Sequence, residues 1–154
     1  MDRIQGTILL MCVAATGGAL SLQFFYDAMP CYLCIVERSL IMAVGVMAII
    51  SISLPKKYFG FPILFSQLGL VGYLGYTLRE HIGIDKGWWF SSCEMNPTFF
   101  MSEYVPYIFD VKAICGQNTF LLMGYDMVYW GAATCGLLAI LTLLAIKSLI
   151  TKDY

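Results

Sequence analysis

Four long apolar stretches, at about 7–25, 33–54, 61–78 and 128–150, leave this chain few ways to fold. Hydrocarbon offers no water to backbone N–H and C=O groups, so only helices and closed barrels cross a membrane. A helix needs about 20 apolar residues to span the roughly 30 Å core, whereas a barrel strand needs only about half as many. Stretches of this length are helices. Composition agrees, with 60% hydrophobic and 12% charged residues, against about 25% charged in an ordinary soluble domain. The expected fold is an all-α membrane protein, a four-helix transmembrane bundle forming a single integral membrane domain over 1–154. The net charge of −1 says nothing about nucleic acid, and no basic run suggests a nucleic-acid partner. A signal peptide is the competing reading of the first stretch. No clear small-x-small cleavage site follows a short apolar core, so a retained helix is expected.

An even number of spans puts both termini on one side. Lys56 and Lys57 cluster in the short link 55–60, and Arg3, Lys147 and Lys152 flank the ends. Basic residues in short loops favour the cytoplasm, so the termini and this link are expected there. The link 26–32 and the long segment 79–127 then face outward. Trp88, Trp89, Tyr129 and Trp130 read as interfacial anchors. Gly69, Gly72 and Gly75 predict a small face on the third helix for close packing.

The chain has six cysteines. Cys12 and Cys135 lie within spans and differ in depth by roughly 12 Å at ~1.5 Å per residue. Disulfide partners need Cα atoms within about 7 Å, so both read as apolar core residues. Cys31, Cys34, Cys93 and Cys115 fall at or beyond the outer surface. Four such cysteines permit three pairings, of which Cys31–Cys34 with Cys93–Cys115 is the simplest. Structural staples are the bland alternative, fair for Cys93–Cys115 and weak for Cys31–Cys34. A bridge closing so small a ring removes little chain entropy and persists mainly where it is exchanged. No metal is expected: Cys93 and Cys115 are too far apart for a second zinc knuckle, and Ile35 stands where haem attachment needs a histidine.

Cys31 and Cys34 open the second helix, where unpaired N–H groups favour a thiolate. Arg38 lies one turn beyond Cys34 on the same face. A cation there must face the bundle interior, pair with an acid or snorkel. Glu37 points about 100° away from it and is a poor partner. His81, the only histidine, ends the third helix, where such a residue often merely complements the dipole. Segment 94–114 is largely apolar and aromatic, which predicts a short amphipathic segment lying in the interface, with Glu103, Asp110 and Lys112 turned to water. Pro97 and Pro106 keep it short or broken, and cover for the bundle rim is equally compatible.

With these residues in place, the chain resembles the DsbB family of bacterial inner-membrane thiol oxidases over nearly its whole length. The run Pro30-Cys31-Tyr32-Leu33-Cys34-Ile35-Val36-Glu37-Arg38 carries most of the likeness, followed in order by Glu80-His81, Cys93, Cys115 and Gly124-Tyr125-Asp126-Met127. One departure is Val128, where many members place a proline near the start of the fourth helix. The resemblance implies a membrane thiol:quinone oxidoreductase that re-oxidises a soluble periplasmic DsbA-like dithiol oxidase. It implies that the partner attacks Cys93 to form a mixed disulfide, and that Cys115 then attacks Cys31 of the Cys31–Cys34 bridge. Cys34 is implied to face the quinone (ubiquinone or menaquinone), with Arg38, His81 and Met127 close to it. Both termini would be cytoplasmic, and membrane lipid would surround the bundle. A vitamin K epoxide reductase-like protein also joins four helices to a Cys-x-x-Cys, but there the loop pair precedes the motif. A four-span scaffold with structural disulfides is the non-enzymatic alternative.

Overall fold

The computed structural model describes residues 2–26, 28–88, 102–113, 121–122 and 124–151. Four long helices dominate it: α1 (Asp2–Phe25), α2 (Tyr32–Ser53), α3 (Lys56–Asp85) and, after the single turn α4 (Pro106–Phe109), α5 (Met127–Ile150). Their 24, 22, 30 and 24 residues correspond to about 33 to 45 Å of helix at ~1.5 Å per residue. Each is long and apolar enough to cross a membrane. This is an integral membrane protein.

Helix α1 packs on α2, α2 on α3, α3 on α5, and α5 closes back on α1. Ile8 and Cys12 of α1, Ile41, Val44 and Ala48 of α2, Val71, Leu74 and Leu78 of α3, and Val128, Cys135 and Leu138 of α5 share one core. The outward faces are just as apolar: Leu10, Phe65, Ile140 and Leu143 are exposed. Helices that are hydrophobic all round suit lipid, not water. Lipid tails supply no hydrophobic drive between helices, so association depends on close approach and interhelical hydrogen bonds. A Cβ at Gly131 would stand 3.0 Å from Leu78, and one at Gly45 would stand 3.2 Å from Cys12 Cβ. The small face expected on α3 is confined to Gly75, which meets Cys135; Gly69 and Gly72 have nothing within 4 Å. At the end of the bundle away from Cys31, Gln5 and Gln67 are fully buried. Each side-chain amide donates to the other's oxygen, at 3.2 and 3.4 Å, so neither is left unsatisfied.

Pro55 follows Leu54, which is held extended, and the chain passes from α2 into α3 with almost no loop. Helix α3 overruns its expected limits of 61–78 at both ends. Charged residues mark where a helix leaves hydrocarbon, not where its backbone hydrogen bonds stop, and Arg79 to Asp85 continue the helix beyond the apolar run. It closes in a Schellman turn. Gly87, at φ +69°, lets its own N–H reach Ile84 O and the N–H of Trp88 reach Gly83 O at 2.9 Å. Among the described residues of segment 94–114, α4 is the only helical turn. Phe109 is buried while Tyr107, Glu103, Asp110 and Lys112 are exposed, the two-faced character expected. Leu121–Leu122 pairs antiparallel with Tyr125–Asp126, Gly124 takes φ +84°, and α5 starts at Met127 without a proline at Val128.

Candidate active site

The site begins with a cap. Cys31 is the N-cap of α2, and its Sγ accepts the backbone N–H of Cys34 at 3.3 Å, the place a serine or threonine oxygen usually fills. The Cys31 and Cys34 sulfurs lie 2.7 Å apart as free thiols. Hydrogen bonding from the Cys34 thiol pulls the Cys31 thiol below its ordinary pKa. The Cys34 N–H adds to this, while burial and the Glu37 carboxylate oppose it. In this reduced pair the donated hydrogen bonds converge on Cys31, whereas the resemblance gives Cys34 the thiolate facing the acceptor.

Two helices then bring a carboxylate and an imidazole to the same sulfur. Glu37 of α2 lies 2.9 Å from Nδ1 of His81 on α3, and His81 Nε2 lies 3.7 Å from Cys31 Sγ. A carboxylate only accepts, so this contact places a proton on Nδ1 and leaves Nε2 for the thiol. The ligand atoms of Cys31, Cys34 and His81 all lie within 4.8 Å of one another.

Arg38 is 6% exposed. Its Nη1 donates to Gln23 Oε1 of α1 at 2.8 Å and to the Ile108 carbonyl of α4 at 3.2 Å, while its buried Nε has no partner among the described residues. As its direction on the helix requires, Arg38 leaves Glu37 to His81. Gln23 also donates to the Tyr107 carbonyl at 3.0 Å. Farther along the loop, the N–H of Lys112 donates to Pro30 O at 3.0 Å and Ala113 forms a parallel bridge with Cys31. The segment 107–113 is thereby tied across the mouth of α1 and α2.

Of the residues singled out in the sequence, Cys31, Cys34 and His81 are brought together, and Arg38 lies one turn along α2. Met127 is half-buried at the first turn of α5. Cys93 and Cys115 fall outside the described residues. Cys12 and Cys135 are separate buried thiols, one against Gly45 and the other against Gly75. Two residues were missed. The sequence sets Glu37 only against Arg38, although a carboxylate early in an apolar helix already demands a partner somewhere. Gln23 carried no signal except that a buried guanidinium needs acceptors.

The model of the family described as disulfide bond formation protein DsbB matches residues 2–145. Disulfide bond formation protein B of Vibrio alginolyticus is 30% identical over 134 residues, covering 80% of this chain and 78% of that protein. The protein of that name from Shewanella frigidimarina is 25% identical over 161 residues, covering 93% and 90%. That from Haemophilus influenzae is 28% identical over 148 residues, covering 90% and 82%. A thiol pair at a membrane helix mouth, set beside a half-buried imidazole and a buried guanidinium, sits within that match, and the chain belongs to the DsbB family of disulfide bond formation proteins.

Proposed function

We propose that the protein re-oxidises a soluble periplasmic dithiol oxidase of the DsbA kind and passes the electrons to a membrane quinone. It acts in the bacterial inner membrane, with both termini in the cytoplasm and the redox loops outside. Oxidised, the chain carries Cys93–Cys115 and Cys31–Cys34 bonds. A thiolate of the partner attacks Cys93, forming a mixed disulfide and releasing Cys115. The partner's second thiol attacks its own sulfur, leaving it oxidised and Cys93 reduced. Cys115 attacks Cys31, Cys34 leaves as thiolate, and Cys93 completes the exchange, so two electrons now reside in the Cys31–Cys34 dithiol. Ala113, bridged to Cys31, stands two residues before Cys115 in the sequence, which favours that transfer.

A quinone supplies an acceptor for two electrons and two protons. Closing the Cys31–Cys34 bond gives up two electrons and the two thiol protons, which a quinone held beside Cys34 would take up to leave as quinol. His81 is placed to hold the Cys31 proton. The observation that carries this reading is the Cys31–Cys34 pair capped into α2 beside Arg38, whose buried Nε has no acceptor among the described residues. A carbonyl oxygen at the helix mouth would fill that need, so the residues suit a quinone. The test is the oxidised protein incubated with a reduced DsbA-like partner whose second cysteine is replaced by alanine, so that it cannot resolve the bond it forms. The partner is expected to accumulate in a mixed disulfide on Cys93. Trapping on Cys31 instead, or none, would overturn the order of exchange.

A further inference from the structure

Sequence spacing argues against a metal because it offers no second cysteine pair and no histidine beside Cys34. The fold supplies the histidine from another helix, 50 residues from Cys31. Sγ of Cys31, Sγ of Cys34 and a ring nitrogen of His81 converge within 4.8 Å. Behind them, Glu37 Oε1 receives His81 Nδ1 at 2.9 Å. This is the carboxylate–histidine arrangement that fixes the tautomer of a metal-binding imidazole, directs its other nitrogen at the ion and raises its basicity.

We propose that the reduced Cys31–Cys34 dithiol and His81 form a three-ligand site for a borderline-soft divalent cation of the Zn2+ type, with Glu37 positioning the imidazole. Two sulfurs and one nitrogen are the ligand set of an open zinc site, whose fourth position is left to water. At Zn–S distances of about 2.3 Å, tetrahedral geometry sets the sulfurs about 3.8 Å apart. They must therefore open from 2.7 Å, a rotation of side chains at the first turn of a helix. The 3.7 Å between His81 Nε2 and Cys31 Sγ already suits two ligands of one ion. Binding exchanges the two thiol protons for the metal and changes no oxidation state. The occupied dithiol can no longer close its disulfide, so the cation arrests the chain in its reduced form. Oxidation to the disulfide removes both sulfur ligands and abolishes the site. The proposal needs only the reduced pair, not the quinone or the partner.

The full-length protein with Cys93→Ser and Cys115→Ser, reduced anaerobically in detergent, isolates the site from the loop thiols. Zn2+ alone is expected to bind at one ion per chain, to shield Cys31 and Cys34 together from alkylation, and to release them on chelation. Co2+ in its place is expected to give thiolate-to-metal charge-transfer absorption. His81→Ala and Glu37→Gln are each expected to weaken Zn2+ binding by at least about tenfold. Glu37→Gln preserves side-chain shape and serves where His81→Ala fails to fold. Lack of shielding in the reduced protein, retained binding in the oxidised protein, or unchanged affinity in a folded His81→Ala or Glu37→Gln variant would each overturn the proposal. Activity with a partner enters none of these readings, so failure here and failure of the proposed oxidase function are distinguishable.

Discussion

Cys31 and Cys34 differ because one caps a helix and the other lies within it. Cys31 receives donors from both the thiol and the N–H of Cys34. A lowered pKa means that its thiolate persists to lower pH than an ordinary thiol, whose midpoint is about 8.5. In the reduced protein, alkylation of Cys31 is therefore expected to reach half its maximal rate at a lower pH than alkylation of an ordinary thiol. The Cys34 thiol is the largest lowering influence, so Cys34→Ala should move the midpoint upward; an unchanged or lower midpoint would refute this cause. Arg38 serves two ends. Its Nη1 satisfies Gln23 and Ile108, and its Nε has no partner among the described residues. Hydrogen bonds from charged groups contribute about 1.5–3 kcal/mol, so Arg38→Met is expected to raise the apparent quinone KM by at least about tenfold. Arg38→Lys keeps charge without the planar fork and should raise it less. Partner exchange at Cys93 in a single turnover should hardly change in either variant. Blocked exchange with normal quinone kinetics would remove Arg38 from the acceptor site.

The helices meet through small residues and paired polar groups, and those pairs can be tested directly. Gln67→Leu strands Gln5 in a dry interior, and Gln5→Leu does the converse. Each is expected to destabilise the bundle by about 1 kcal/mol, and the double variant by less than the sum. Strictly additive losses in a detergent unfolding cycle would mean that the two amides are uncoupled. That four helices are long and apolar enough to cross a membrane was legible in the sequence, because span length and apolarity are local properties. The place of Cys31 and Cys34 at the start of α2 and the turn to Arg38 were legible for the same reason, whereas the Cys31 side-chain cap was not. The real end of α3 was not, since Arg79 to Asp85 look like a loop to any reading that equates charge with exit from a helix. Nor was the Glu37–His81 pair, whose members lie on different helices and meet only through the rotation of α2 against α3. Arg38 with Gln23 is the same case between α1 and α2.

Arranged as a bundle, these parts separate chemistry from support. The Cys31 mouth collects the thiols, imidazole and guanidinium, while Cys12 and Cys135 pack against Gly45 and Gly75 within the spans. Replacing both Cys12 and Cys135 by Ala is expected to leave partner oxidation within a few-fold of wild type. Loss of activity in a folded double variant would mean that the cysteines are sorted wrongly. Reporters fused after Tyr154 and inserted at Lys56-Lys57 are expected to behave as cytoplasmic, and external activity at either would invert the bundle. The decisive measurement follows Cys31 and Cys34 themselves. Purified protein stripped of quinone receives one equivalent of reduced DsbA-like partner, and the pair is read by mass-tagged alkylation before and after quinone is added. Expected is a Cys31–Cys34 dithiol that accumulates without quinone and returns to the disulfide with it, one quinol appearing per pair. A pair that stays oxidised throughout, or stays reduced after quinone is added, would contradict an electron path through this site.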